Sequence, residues 1–253
     1  MQRRDHHDWA SEAYVEEWVK RQQTEDPNRA ERFQLMCDLL PFSQDATVTV
    51  LDVGAGYGPM SRFILDRYPH ATCIAQDGSA PMLTRARRLG APYGERFKTH
   101  LSDLFATNWL PTELGPFDAA VSSICLHNLR DFARNSEIYR EIRAHLKSGG
   151  VFLNEDLINA PTAELKQRYD AVADARRRRT GTSAEGLQAM VHGAGRPADH
   201  ATTDSFPATL GQHLAAMRAA GFKNVDCFWK DLRRALIGGY VDRDGSESLG
   251  SIQ

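Results

Sequence analysis

The chain has 253 residues, enough for one substantial hydrophobic core with decorations. Its 31 lysines and arginines against 33 aspartates and glutamates leave a formal charge of −2, so no overall field favours nucleic acid or an anionic membrane. Cys37, Cys73, Cys125 and Cys227 lie far apart, which argues against a C-x-x-C zinc or redox motif and against a disulfide framework. Met1 to His7 has no apolar segment behind it, and no apolar run reaches membrane-spanning length, so the expectation is a cytoplasmic protein with no membrane partner.

In chain order, residues 8 to 40 carry Trp9, Tyr14, Val15, Trp18 and Val19, then Phe33, Met36, Leu39 and Leu40, at three- and four-residue spacings. These predict two helices, broken at Asp26-Pro27-Asn28. Val48 to Val53 is an apolar run that enters three glycines on alternate positions, Gly54, Gly56 and Gly58, and a helix-like segment from Met60 to Tyr68 follows. The pattern predicts strand, tight turn, helix, with glycines that take left-handed angles and let backbone N–H groups approach a polar ligand. A second run, Thr72 to Asp77, ends in a carboxylate at the separation expected for an acceptor of ribose hydroxyls. Ser79 is the expected N-cap of the next helix.

Phe97 to Ser102 predicts a third strand, with Asp103-Leu104 at its end. Pro116 to Ser123 predicts a fourth, apolar enough to be buried on both faces of a parallel sheet. The crevice of an open α/β sheet lies outside the carboxyl ends of its strands, so Ser123, Leu126, His127 and Asn128 belong at its mouth. A helix over 129–147 closes on Lys147-Ser148-Gly149-Gly150. A fifth strand, Val151 to Asp156, brings Glu155 and Asp156 to the same mouth. Ala163 to Arg179 predicts a helix whose Arg176–Arg179 run is a solvated end, and the stretch from Thr180 to Asp204 holds His192 and His200. A helix from Leu210 to Ala220, two strands at Lys223–Trp229 and Arg234–Tyr240, and a loose polar tail from Asp242 complete the chain.

The run Leu51-Asp52-Val53-Gly54-Ala55-Gly56-Tyr57-Gly58, with Asp77, resembles the S-adenosylmethionine (SAM) site of class I methyltransferases. The resemblance covers roughly Leu51 to Tyr240. It implies an α/β, Rossmann-like sheet of seven mostly parallel strands with the last strand antiparallel, helices on both faces and an N-terminal helical lid. The implied organisation is a lid over 1–45, a SAM-binding core over 46–158, a substrate-pocket insert over 159–206, a C-terminal helix and hairpin over 207–241 and a tail over 242–253. For SAM it implies Gly54, Ala55 and Gly56 under the methionine end, Asp77 and Gly78 at the ribose, and Met82 beside ribose and adenine. Asp103 then takes the adenine amino group, Leu104 packs on the ring, and Ser123 stands near the cofactor. Tyr14 and Trp18 on the lid, with His127, Asn128 and Asp156, become the acceptor-binding candidates.

Methyl transfer from a sulfonium needs alignment and exclusion of water more than a catalytic triad, and His127 is the first candidate for a base where the acceptor carries a proton. The expected partner is a small-molecule methyl acceptor, handled by a monomer or homodimer, with no nucleic acid. A SAM-binding protein without methyl transfer is the alternative. A nicotinamide-dependent oxidoreductase is further off, because that fingerprint is G-x-G-x-x-G and here Pro59 stands at its last glycine. The histidines and acidic residues show no metal-ligand spacing, so no metal is expected.

Overall fold

A computed structural model of the chain describes residues 8–25, 28–180 and 208–243. Seven strands form one sheet: β1 (Thr49–Val53), β2 (Thr72–Asp77), β3 (Phe97–Leu101), β4 (Phe117–Ser123), β5 (Leu146–Leu157), β6 (Lys223–Asp231) and β7 (Arg234–Tyr240), in the order β3-β2-β1-β4-β5-β7-β6. The strands from β1 to β5 pair in parallel, and β7 runs antiparallel between β5 and β6. This is the seven-stranded arrangement with an inverted last strand that the resemblance implies. Seven α-helices are described: α1 (Glu12–Glu25), α2 (Arg29–Asp38), α3 (Pro59–Arg67), α4 (Ala80–Gly90), α5 (Phe132–His145), α6 (Ala163–Thr180) and α7 (Leu210–Ala219).

Alternation along the strands divides the core into two layers. Val50, Val121, Val151 and Leu153 face Phe33 and Met36 of α2 and Ile64 of α3. Their neighbours Leu51, Ala120 and Phe152 face Ile138, Tyr139 and Ile142 of α5 and Met217 of α7. Both clusters are built from fully buried side chains, so the central strands read as near-continuous apolar runs for a physical reason: each has a helical layer on both sides.

Several boundaries differ from the sequence expectation. The α5 helix starts at Phe132, because Asp131 caps it by accepting from the Arg134 N–H at 3.2 Å. Residues 126–129 form a separate 3-10 turn. The ladder of β5 already begins at Leu146, opposite Phe117, and the Lys147–Gly150 segment expected to end the helix is an irregularity within that pairing. The Ser148 hydroxyl and the Gly149 N–H both donate to the Asp242 carbonyl, so the first residue of the expected loose tail is held against β5. His192 and His200, most of the 159–206 insert beyond α6, and 244–253 lie outside the described residues.

Gly238 and Gly239 explain how β7 fits between two strands. A Cβ on Gly238 would lie 2.6 Å from Leu153 Cδ2 and 2.7 Å from the Phe152 carbonyl oxygen. One on Gly239 would lie 2.8 Å from Phe222 Cβ. The backbone of β7 takes the space that side chains would fill. Gly238→Ala is expected to destabilise the fold by about 1–3 kcal/mol through overpacking. Thermal melting checks this, and an unchanged midpoint would show that β5 and β7 can separate freely.

Candidate functional site

At the carboxyl ends of β1 to β4 lies a cavity of about 970 Å³. Its floor is the turn after β1. Gly54, Gly56 and Gly58 have φ of +65°, +57° and +78°, angles that L side chains rarely adopt. Space makes a second demand at Gly54, where a Cβ would sit 1.9 Å from Cys125 Sγ. Gly56 faces open space instead: a Cβ there would have Met82 Sδ, 3.9 Å away, as its nearest neighbour. The turn thus offers bare backbone to whatever occupies the cavity.

Two side chains at the end of β2 hold that turn. Asp77 Oδ2 accepts from the Gly56 N–H and Oδ1 from the Ser79 N–H, both at 2.8 Å. Burial pushes the Asp77 carboxyl up from its ordinary range, and the N–H groups of Ser79, Gly56 and Gly78 oppose that shift. Buried Gln76 does the neighbouring work: its Oε1 accepts from the Gly54 N–H at 3.1 Å, and its Nε2 donates to the Ser102 carbonyl at 2.7 Å. Gln76 also lines the cavity, a role the sequence reading did not assign. An amide in an otherwise apolar buried strand was the available signal.

Of the residues proposed from sequence for the cofactor, Gly54, Gly56, Asp77, Gly78, Met82, Asp103 and Leu104 line this one cavity. Ala55 is buried behind the turn, its N–H bonded to the Gln76 carbonyl. Ser123 is turned elsewhere: its hydroxyl donates to Glu155 Oε2 at 2.7 Å, within an ion-pair cluster with Arg32 and Arg234, and it does not line the cavity. The reason is the two-residue period of the strand, which sends Ser123 to the α2 side while the chain turns back at Ile124.

Of the acceptor candidates, Trp18 and Asn128 line the cavity and Tyr14 does not. Tyr14 packs edge-on against Trp9, with ring centroids 5.3 Å apart, and Trp9 supplies the second aromatic wall. His127 and Asp156 lie behind Asn128 as a buried pair, outside the lining of this cavity. His127 Nδ1 stands 2.6 Å from Asp156 Oδ1, and the His127 N–H donates to Oδ2 at 2.9 Å. A carboxylate only accepts, so the hydrogen bond to Asp156 places the Nδ1 proton between them and fixes the orientation of the ring.

Asp52, just ahead of the glycines, has a different task. Its buried carboxylate accepts from the Ser61 N–H at 3.0 Å and from the Ser61 hydroxyl at 2.6 Å, tying β1 to the start of α3. Burial raises its pKa to about 6. Between about pH 4, where an unfolded aspartate ionises, and pH 6, the folded chain keeps a proton that the unfolded chain has lost. Stability from this group therefore falls as pH rises through that window. Asp52→Asn keeps an acceptor for Ser61 and cannot ionise. Its stability relative to the unsubstituted chain is expected to rise between pH 4 and pH 7, by up to about 3 kcal/mol. Denaturant titrations at the two pH values measure this, and parallel curves would contradict it.

Residues 50–150 match the family model of the methyltransferase domain. The chain is 32% identical over 155 residues to the malonyl-[acyl-carrier protein] O-methyltransferase of Salmonella typhimurium, a match covering 56% of each protein. It is 33% identical over 107 residues to the trans-aconitate 2-methyltransferase of Azoarcus sp., covering 42% of this chain and 38% of that one. The chain thus spans about half the length, or less, of these relatives. Human N-acetylserotonin methyltransferase in complex with SAM shares the fold, with a TM-score of 0.61 at 17% identity over 92% of this chain and 57% of that one.

Proposed function

We propose that the chain, whose residues 50–150 match the methyltransferase domain model, is a class I SAM-dependent methyltransferase that moves a methyl group from SAM to a small-molecule acceptor through an oxygen nucleophile. The observation that carries the reading is Asp77, a half-buried carboxylate anchored by two backbone N–H groups on the wall of a cavity floored by bare glycine backbone. The site fits the cofactor in kind: an acceptor for ribose hydroxyls at Asp77, apolar surfaces at Met82 and Leu104 for the adenine, and a second carboxylate at Asp103 for its amino group. When bound, SAM supplies a methyl group already activated by the positive sulfonium and open to in-line displacement.

The chain's own contribution is placement, an aromatic wall and one base. Trp9 and Trp18 add two aromatic surfaces to the cavity wall, which reduce the water beside the reacting atoms. Asn128 presents an amide to the acceptor. His127, held by Asp156, lies behind Asn128 and outside the cavity lining, so for an acceptor that carries a hydroxyl proton it acts as base through an intervening water, help worth about 10²–10⁴-fold in rate. The name of the Salmonella typhimurium relative, a malonyl-[acyl-carrier protein] O-methyltransferase, supports an oxygen nucleophile; a carboxylate oxygen would carry no proton and need placement alone, whereas a hydroxyl would also use His127.

The deciding experiment pairs calorimetry with S-adenosylhomocysteine (SAH) and transfer of label from methyl-tritiated SAM to small acids and hydroxylated compounds. Binding with a dissociation constant on the order of micromolar and label in the small-molecule fraction are expected. Absence of SAH binding at millimolar concentration would remove the cofactor assignment. Asp77→Ala is expected to weaken SAH binding at least about tenfold, through loss of charge-assisted bonds to ribose, with the circular dichroism spectrum unchanged. An undiminished affinity would take Asp77 out of the site. With a hydroxylated acceptor, His127→Ala is expected to lower turnover at least about a hundredfold while SAH affinity stays within about threefold, and wild-type turnover in that variant would end its role as base.

A further inference from the structure

Asp103 sits at the rim of the cavity on a loop that regular structure does not hold, yet its carboxylate is fixed from behind. The Phe105 N–H donates to Asp103 Oδ1 at 2.9 Å. That N–H belongs to the same planar peptide unit as the Leu104 carbonyl, and in a trans peptide the two point in opposite directions. The Leu104 carbonyl accepts from Arg134 Nε at 2.7 Å. One rigid plane is thus gripped at both ends, by Asp103 on the cavity side and by Arg134 on the α5 side.

Arg134 is in turn immobilised. Its Nη1 donates to Glu137 at 2.9 Å and to Glu141 Oε1 at 2.8 Å, its Nη2 to Glu141 Oε2 at 3.0 Å, and Nη2 also reaches the Ala106 carbonyl at 3.4 Å. Glu141 Oε2 accepts from the indole N–H of buried Trp109, on the same loop, so one carboxylate ties the guanidinium and the far end of the loop together. His100 Nε2 lies 3.0 Å from the Trp109 carbonyl. Arg134, Glu141 and Trp109 lie outside the lining of the cavity, whereas Asp103, Leu104 and Phe105 line it.

We propose that Arg134, backed by Glu141, is a positioning residue that sets the selectivity of the cavity for adenine, acting on Asp103 through the Leu104–Phe105 peptide. The inference rests on the cofactor reading above and deepens it. A carboxylate held in one orientation accepts from the adenine amino group and repels the carbonyl that replaces it in hypoxanthine. Released to rotate, it tolerates both. A planar fork is required, because a lysine ammonium cannot hold two carbonyls and a carboxylate in one geometry.

The test compares SAH with S-inosylhomocysteine, its hypoxanthine counterpart, by calorimetry on the full chain. Wild type is expected to prefer SAH at least about tenfold, the discrimination of a hydrogen bond to a charged group. Arg134→Met should reduce that preference to under about threefold, Asp103→Asn should do the same, and the double variant should lose no more than either alone. A general loss of stability would lower both affinities together and leave their ratio unmoved. Full discrimination in R134M, or additive losses in the double variant, would overturn the inference. If R134M does not fold, R134K, which keeps the buried charge, is held to the same ratio. A wild-type chain that binds neither compound refutes the cofactor reading itself. One that binds both equally refutes the role of Asp103 and, with it, this inference, while leaving SAM binding intact.

Discussion

Three strand ends must meet at one point for this site to exist, and the contact that joins them is the carboxylate of Asp77 with the amide of Gln76 beside it. Gln76 binds backward to the Gly54 N–H and sideways to the Ser102 carbonyl, so it links the ends of β1, β2 and β3. Asp77 adds the Gly56 and Ser79 N–H groups, which belong to the glycine turn and to the cap of α4. A buried carboxylate with no donors would neutralise itself. Here the donors are backbone, fixed by the fold before any ligand arrives, and the acceptor is already oriented when the cavity fills. The glycines have no side chains with which to hold their own positions, so these two residues fix the backbone at Gly54 and Gly56 while Tyr57 anchors the turn from its other side.

The other side of the site depends on β5, whose alternation sends consecutive acids to opposite faces. Glu155 goes to the α2 layer, where Arg32, Arg234 and the Ser123 hydroxyl surround it. Asp156 goes to the α5 layer, where it holds His127 by backbone and ring together. Between them the chain passes through Ile124 at φ +53°, a left-handed angle that is costly for a β-branched residue. It is retained because the Ile124 N–H donates to the Glu155 carbonyl at 2.8 Å and the following turn is tied to Asp156. The sharp reversal delivers Cys125 against Gly54 and Asn128 into the cavity, so strain in one residue produces the close approach that makes Gly54 indispensable.

What could be read in the sequence follows from distance along the chain. Gly54, Gly56, Asp77, Met82, Asp103 and Leu104 each lie within a few residues of a strand end, and strand ends share one rim in a parallel sheet, so spacing alone brings them together. Ser123 fails by a single step of the strand period: at a strand terminus the chain direction decides which face is presented, and Ile124 decides it here. Asp52 and Gln76 are buried polar residues inside apolar runs, a pattern that announces a structural partner without saying which one. Trp9 precedes α1 and meets the cavity only through packing, and Arg134 and Glu141 lie two turns apart on α5 with their target on a loop far earlier in the chain. No local pattern carries that information, because the contacts are made by tertiary structure.

The closing wall shows how the two ends of the chain's logic meet. Ser79 Oγ caps α4 by accepting from the Met82 N–H and donates to the Trp9 carbonyl at 2.6 Å, while the Ser79 N–H holds Asp77. Trp9 packs edge-on against Trp18, Trp18 against Tyr57 of the glycine turn, and the Tyr57 hydroxyl accepts from Arg29 at the start of α2. The aromatic cover is therefore fastened to the two backbone segments that Asp77 joins, the glycine turn and the α4 cap. The turn and the cover are thus positioned by the same contacts, and aromatic surface beside the turn strengthens the hydrogen bonds beneath it by lowering the local dielectric. Floor, cap and aromatic wall are consequently one connected unit in this fold, joined through a single serine and a single carboxylate at the end of β2.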